Sequence, residues 1–238
     1  MNDETLIKEE ARLPRFCGID TGESCALAVR EQVSVGGPTR WVYFEAPPAD
    51  RLGERGSLIF EAMNVCSLVI DGGPHTTIAR EVHDLLPEGG FIWRHTEGAM
   101  VVKEEAFMGV ERRQVRLNRE ELLNMLVEEF REGPEAVHWP SPVDEIEEVL
   151  LTTVEAQLLN LKKTRRLRAG GEEVDVYERG ENHFGFACAY ARLAEALAET
   201  EGVLAAPAGG TLSPQYPQSG GPHLRPPGFG GGRGGRRL

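Results

Sequence analysis

The chain has 238 residues, 40% of them hydrophobic, and a formal net charge of −12. That is enough for one large domain with a real core, and no apolar run is long enough to span a bilayer. All 38 acidic residues lie at or before Glu201, whereas four of the 26 basic ones (Arg225, Arg233, Arg236 and Arg237) follow it, so the body carries 22 basic against 38 acidic residues, or −16. A body this acidic argues against strong nonspecific DNA binding unless its cations are clustered.

The opening MNDETLIKEE is charged from its start and does not read as a signal peptide. Four cysteines, Cys17, Cys25, Cys66 and Cys188, sit in apolar stretches without CxxC spacing. They are expected to be reduced core residues of a cytoplasmic protein, and a zinc site is not expected. Residues 1–15 read as a short leader ending at Pro14-Arg15.

Phe16, Cys17 and Ile19 then open a buried strand that Asp20 breaks and Thr21-Gly22 turns. Cys25, Leu27 and Val29 alternate as in a half-buried strand, and Trp41 to Phe44 forms the second arm of a hairpin turned at Gly36-Gly37-Pro38. Pro47 to Gly56 reads as loop and Leu58 to Cys66 as a crossover helix. The pattern of the first strand then recurs: Leu68, Val69 and Ile70 end at Asp71, and Gly72-Gly73 turns. A helix over Thr76 to Leu86 and a short strand at Phe91 to Trp93 follow, and Ala99 to Val115 is ambiguous.

Asn118 caps a helix with Glu121 three residues later, striped by Leu122, Leu123, Leu126, Val127 and Phe130, and ended by Gly133-Pro134. Val143 to Leu161 reads as a helix with Ile146, Val149, Leu150, Val154 and Leu158 on its buried side. Lys162 to Arg168, KKTRRLR, is the one dense basic run and reads as one arm of a hairpin with Val174 to Tyr177. A long alanine-rich helix spans Asn182 to Glu199, with Ala187, Tyr190, Ala191, Ala194 and Leu197 inward. The alternation predicts a mixed α/β sheet flanked by helices over 16–200. Residues 201–238, rich in Gly, Pro and Arg, are expected to be disordered.

A carboxylate at the end of a core strand is costly unless something uses it. Two such strand-end aspartates can share one sheet edge and hold a divalent cation. The ordered set FCGIDTGES, VIDGGP, VRLNREELLNML, QLLNLKK with its basic hairpin and YERG, and ENHFGFACAYARLA resembles the nuclease domain of tailed-bacteriophage terminase large subunits. The resemblance covers roughly 16–198. It implies a ribonuclease-H-like fold, a two-metal site for Mg²⁺ or Mn²⁺, and cleavage of concatemeric double-stranded viral DNA during genome packaging. It also implies a host-cytoplasmic location and, as partners, a separate packaging ATPase and a portal or small terminase subunit.

Carried onto this chain, the resemblance implies that Asp20 bridges two ions and that Asp71 holds one of them. Glu181 is the third catalytic carboxylate, while Asn182 and His183 are further candidate ligands. Lys162, Lys163, Arg165, Arg166 and Arg168 would contact the DNA backbone. Two departures stand out: no GxxxxGK[ST] motor loop occurs, and Asn182 stands where the family has an aspartate before its His-aromatic pair.

Bland alternatives compete at each position. Asp20 and Asp71 taken singly fit turn caps as well as metal ligands, since Asp favours turns; the ordered pair favours a metal. Glu181 is equally at home at a helix start for dipole reasons. A basic run is commonly a solvated face. The Arg-Gly tail reads as inert linker. A catalytically weakened DNA-binding or packaging-assembly protein on the same fold is the alternative function. The actin and sugar-kinase fold, which also uses IDTG-like loops, needs a longer, two-domain chain.

Overall fold

The computed structural model describes residues 13–22, 25–33, 38–131, 137–167, 171, 173–178 and 180–201. The expected leader, apart from Leu13 to Arg15, and the expected tail beyond Glu201 lie outside the described residues, as do Arg168 and the predicted stop at Gly133-Pro134.

Eight strands form one mixed sheet. They are β1 (Arg15–Thr21), β2 (Cys25–Gln32), β3 (Thr39–Glu45), β4 (Val65–Asp71), β5 (Gly90–His95), β6 (Val101–Phe107), β7 (Val110–Leu117) and β8 (Val137–His138), in the spatial order β6-β7-β5-β4-β1-β2-β3-β8. β1, β4, β5 and β7 run parallel to one another, and β2 is antiparallel to both of its neighbours. Helices α1 (Leu52–Met63) and α2 (Thr76–His83) pack on one face, while α3 (Arg119–Arg131), α4 (Glu145–Leu159) and α5 (His183–Thr200) pack on the other. A separate hairpin joins β9 (Lys163–Leu167) to β10 (Glu173–Tyr177).

The two faces can be read from the period of two along each strand. On β1, Phe16 joins the core beneath α5, while Cys17 and Ile19 join the core beneath α1 and α2. Gly18 lies on the α5 side because nothing larger fits: a Cβ there would come 2.0 Å from the Ala187 carbonyl oxygen and 2.2 Å from the Ala191 nitrogen. The mid-strand glycine and the alanine-rich helix therefore belong to one device, a backbone-to-backbone contact between β1 and α5. That contact brings the first turn of α5 to the C-terminal end of β1.

Four local expectations are corrected. β2 is not half-buried: all of its positions are buried, because the sheet is covered on both faces. Its polar end survives there through ion pairs: Arg30 pairs with Glu129 and with Glu195 at 2.9 Å, and Glu31 pairs with Arg15 at 2.7 Å and with Arg40. Helix α1 begins at Leu52 rather than Leu58, its buried side made by Leu52, Gly56, Ile59 and Phe60; Gly53 and Gly56 make this stretch look like loop. The ambiguous stretch is the β6–β7 hairpin, turned by Met108 and Gly109, both at positive φ. On α4 the buried residues are Leu151 and Val154, whereas Ile146 and Val149 are 82% and 68% exposed. The helix packs by its C-terminal half only.

Candidate metal and DNA site

Asp20 and Asp71 come together by register. β1 and β4 are parallel neighbours with Ile19 beside Ile70, so the next residues, Asp20 and Asp71, close adjacent strands at the same edge. Both fall on the α5 side of the sheet, in step with Phe16 on β1 and Val69 on β4. The Thr21 hydroxyl donates to the Asp71 carbonyl oxygen at 3.2 Å and ties the two strand ends together.

The carboxyl of Asp20 is buried and pushed up to about 6. Burial is the main cause, a hydrogen bond with His183 offsets it in part, and the charge of Asp71 raises it further. Asp71 is also raised, by burial, against the opposing effects of the Gly73 N–H, Arg94 and His75. The Gly73 N–H donates to Asp71 Oδ1 at 2.8 Å, so Asp71 does fasten its own turn. The turn-cap reading therefore holds for both aspartates, since the Gly22 backbone N–H also hydrogen-bonds Asp20, and it leaves the burial that raises the Asp20 carboxyl unexplained.

His183 is the first residue of α5, and its Nδ1 lies 2.7 Å from Asp20 Oδ2. Gly22 makes room for this approach, since a Cβ there would stand 2.5 Å from the His183 ring. Asn182 occupies the N-cap of α5 but makes no capping bond. The Phe184 N–H that a cap would serve instead donates to Gln157 Oε1 of α4, at 2.8 Å. The Asn182 side chain is 5% exposed and its Nδ2 has no hydrogen-bond partner among the described residues. Glu181, by contrast, is exposed at the bend before the helix.

Among the described residues, no group of three or more His, Cys, Asp and Glu side chains is arranged to hold a metal. The donors that are present, the buried carboxylate of Asp20 beside the half-buried one of Asp71, are oxygen ligands of the kind a hard cation takes. Asp20 and Asp71 fit a Mg²⁺ or Mn²⁺ ion as its anionic half.

The basic run takes its expected place in β9. Lys162, Lys163, Arg165 and Arg166 are exposed, but part of their charge is answered within the hairpin. Arg165 pairs with Glu173 at 3.2 Å and with Asp175 at 3.7 Å, and the Lys163 ammonium stands 5.0 Å over the Tyr177 ring. The dense basic run is therefore partly compensated by the opposing arm, where Glu173 and Asp175 sit across the hairpin from β9.

Among the described residues, the central strand order is β3-β2-β1-β4-β5, with β2 alone reversed, aspartates near the ends of β1 and β4 and a long helix laid over β1, and this is a mixed sheet flanked by helices, as the motif set implied. The fold is ribonuclease-H-like. Solved structures similar to this ribonuclease-H-like chain include the large terminase nuclease from thermophilic phage G20c, at 15% identity and TM-score 0.44, covering 75% of this chain and 81% of that one. The large terminase nuclease domain from bacteriophage SPP1 with bound Mn is similar at 9% identity and TM-score 0.45, covering 76% and 86%. Thermus thermophilus RuvC is similar at 16% identity and TM-score 0.38, covering 79% and 96%. No family model matches the chain, and no curated protein matches it. No helix among the described residues is long and apolar enough to cross a membrane.

Sequence reasoning missed Trp93 and Tyr190 as neighbours of the aspartates, and Arg119 as the neighbour of Phe186 on α5. Asp71 pairs in register with Trp93 on β5, and the charges of Asp71 and Asp20 both act on the buried Tyr190 of α5. The spacing of Asn182, Phe186 and Tyr190, four residues apart on one helix face, is the signal that could have found Tyr190; no sequence signal marks Trp93 or Arg119.

Proposed function

We propose that this chain is a divalent-metal-dependent endonuclease acting on double-stranded DNA. In this reading it is the nuclease that cuts concatemeric viral DNA during genome packaging, beside a separate packaging ATPase and a portal or small terminase subunit. The observation that supports it best is the pair Asp20 and Asp71: a buried and a half-buried carboxylate at adjacent strand ends, each raised by burial. Like charges so placed destabilise each other, and a Mg²⁺ or Mn²⁺ ion offsets that repulsion with oxygen ligands alone. When bound, such an ion supplies a polarised phosphodiester and an activated water. The chain's own residues supply the rest: Asp20 and Asp71 give the anionic seat, His183 fixes one oxygen of Asp20, and the Gly73 N–H fixes one of Asp71.

The test is plasmid nicking in Mn²⁺ and in Mg²⁺ by the parent and by Asp20→Asn, each with a melting curve. Loss of nicking in a folded variant is expected. Equal nicking by the two proteins would place the chemistry elsewhere. The exposure of Glu181 and the neutral Asn182 favour a second reading, a DNA-binding or packaging-assembly protein with weakened catalysis. A parent that binds duplex DNA yet nicks in neither metal would establish it.

A further inference from the structure

One stripe of α5 has an unusual lining. Asn182, Phe186 and Tyr190 follow one another at four-residue spacing, which sets them along one face of the helix. Tyr190 is packed against Trp93, with ring centroids 5.5 Å apart, and against Phe186 at 6.2 Å. The Arg119 guanidinium stands 4.8 Å over the Phe186 ring. The stripe runs beside the aspartates, since Trp93 is the register partner of Asp71 on β5. The charges of Asp71, Asp20 and Arg119 all act on Tyr190.

Three buried nitrogens along this stripe have no hydrogen-bond partner among the described residues: Trp93 Nε1, Arg119 Nε and Asn182 Nδ2. Indole and guanidinium nitrogens only donate, and so does the amide nitrogen of Asn. Buried donors are nearly always satisfied, and each exception calls for a missing acceptor. Arg119 adds a second oddity. It is the first residue of α3, where the helix dipole disfavours a cation, and among the described residues no carboxylate forms a salt bridge with it. A cation at the wrong helix end, over an aromatic ring, with its inner nitrogen unpaired, is poorly explained by stability.

We infer that Trp93, Arg119 and Asn182 form a phosphate-binding subsite for the DNA strand beside the Asp20–Asp71 edge, with Arg119 as the positioning residue for a phosphate next to the scissile one. A phosphodiester offers the acceptors that these donors lack, and the Phe186 ring supports the guanidinium. This inference rests on DNA being the substrate and goes beyond the metal site.

The full chain is titrated with a labelled DNA duplex in EDTA, over a range of salt concentrations, as the parent, Arg119→Gln and Trp93→Phe. Binding without metal keeps this test separate from cleavage. Arg119→Gln is expected to weaken binding about tenfold and to lower the salt slope by about 0.9, the share of one phosphate contact. Trp93→Phe keeps an aromatic ring but loses the N–H together with part of the indole; it is expected to weaken binding about threefold with the slope unchanged. A lost slope unit is a readout that a merely structural role would not move, and melting curves confirm that both variants fold. Parental affinity and slope in folded Arg119→Gln would overturn the inference, even if Asp20→Asn abolishes nicking and the nuclease reading stands. Weakened binding by Arg119→Gln in a protein that never nicks would keep the subsite and remove the nuclease.

Discussion

Two charged regions of this molecule solve opposite problems. At the end of β1 and β4, a buried carboxylate and a half-buried one stand beside each other, with His183 as the close polar neighbour of Asp20. On β9, exposed cations stand in water and are answered across the hairpin by Glu173 and Asp175. Water and nearby acids already stabilise the second region, so it gains little from a ligand. The first is destabilised as it stands and has most to gain from a cation. Charge density along a sequence ranks the two regions in the wrong order, because what matters is charge left uncompensated after folding.

The largest expected effect follows from removing one charge of the buried pair. In Asp20→Asn, Mn²⁺-dependent nicking is expected to fall by more than about a hundredfold, while stability without metal rises at neutral pH. The sign comes from the Asp20 carboxyl, raised on folding from about 3.8 to about 6. Between those values the folded state binds more protons than the unfolded one, so this group makes stability fall as pH rises through roughly 4 to 6, by about 3 kcal/mol at most. Asp71, raised in the same direction, adds to that fall. Urea melts of the parent and the variant from pH 4 to 7 would measure it. The parent's extra loss of stability over the window, absent from Asp20→Asn and reversed by Mn²⁺ at pH 7, is the expected pattern. Parallel pH profiles for the two proteins would mean that the buried pair is already compensated.

A smaller effect is expected where the family pattern breaks. Glu181 is exposed and Asn182 is buried with an unpaired amide nitrogen, so the carboxylate is in the sequence but not among the buried groups. Asn182→Asp places a third carboxylate on the buried side and is expected to raise nicking about tenfold in Mg²⁺, where the ligand set of the parent is incomplete. Glu181→Gln is expected to change nicking less than threefold. Metal-free DNA binding by Asn182→Asp should weaken at the same time, since a carboxylate there repels a phosphate that the amide would bind. A tenfold loss in Glu181→Gln would instead show that Glu181 turns inward when metal binds.

Much of this was legible in the sequence, for physical reasons. Ile-Asp-x-Gly twice over marks two buried strands ending in a charge and a turn, and parallel pairing then aligns the aspartates with no further information. The hairpins of β2–β3 and β9–β10 and the helices α3 and α5 follow from period and turn chemistry. Long-range pairings did not. That Arg30 can be fully buried depends on Glu129 and Glu195, far along the chain. That Asn182 gives up its cap depends on Gln157 of another helix. Glycines at 53 and 56 disguised the start of α1 because its buried stripe matters more than local propensity. Trp93 and Arg119 look like ordinary strand and helix residues until the fold sets them beside Asp71 and α5.

The smallest expected effect concerns the hairpin, where internal compensation can be tested cation by cation. Arg165 faces Asp175 in register and pairs with two acids, whereas Arg166 lies opposite Val174 and has no ion pair among the described residues. If these cations meet DNA phosphates, Arg166→Gln is expected to lower the salt slope of duplex binding by up to about 0.9, and Arg165→Gln by clearly less. Arg165 must give up two carboxylates to take one phosphate. Neutralising those acids, with Glu173→Gln and Asp175→Asn together, should free Arg165 and steepen the slope toward one additional contact. Each exposed pair contributes at most about 1 kcal/mol to folding, so melting temperatures should hardly move. Equal losses from Arg165→Gln and Arg166→Gln would show that compensation across the hairpin does not govern contact with DNA. Unchanged slopes in all of these variants would make the basic run an ordinary solvated surface and leave the binding to the edge beside Asp20 and Asp71.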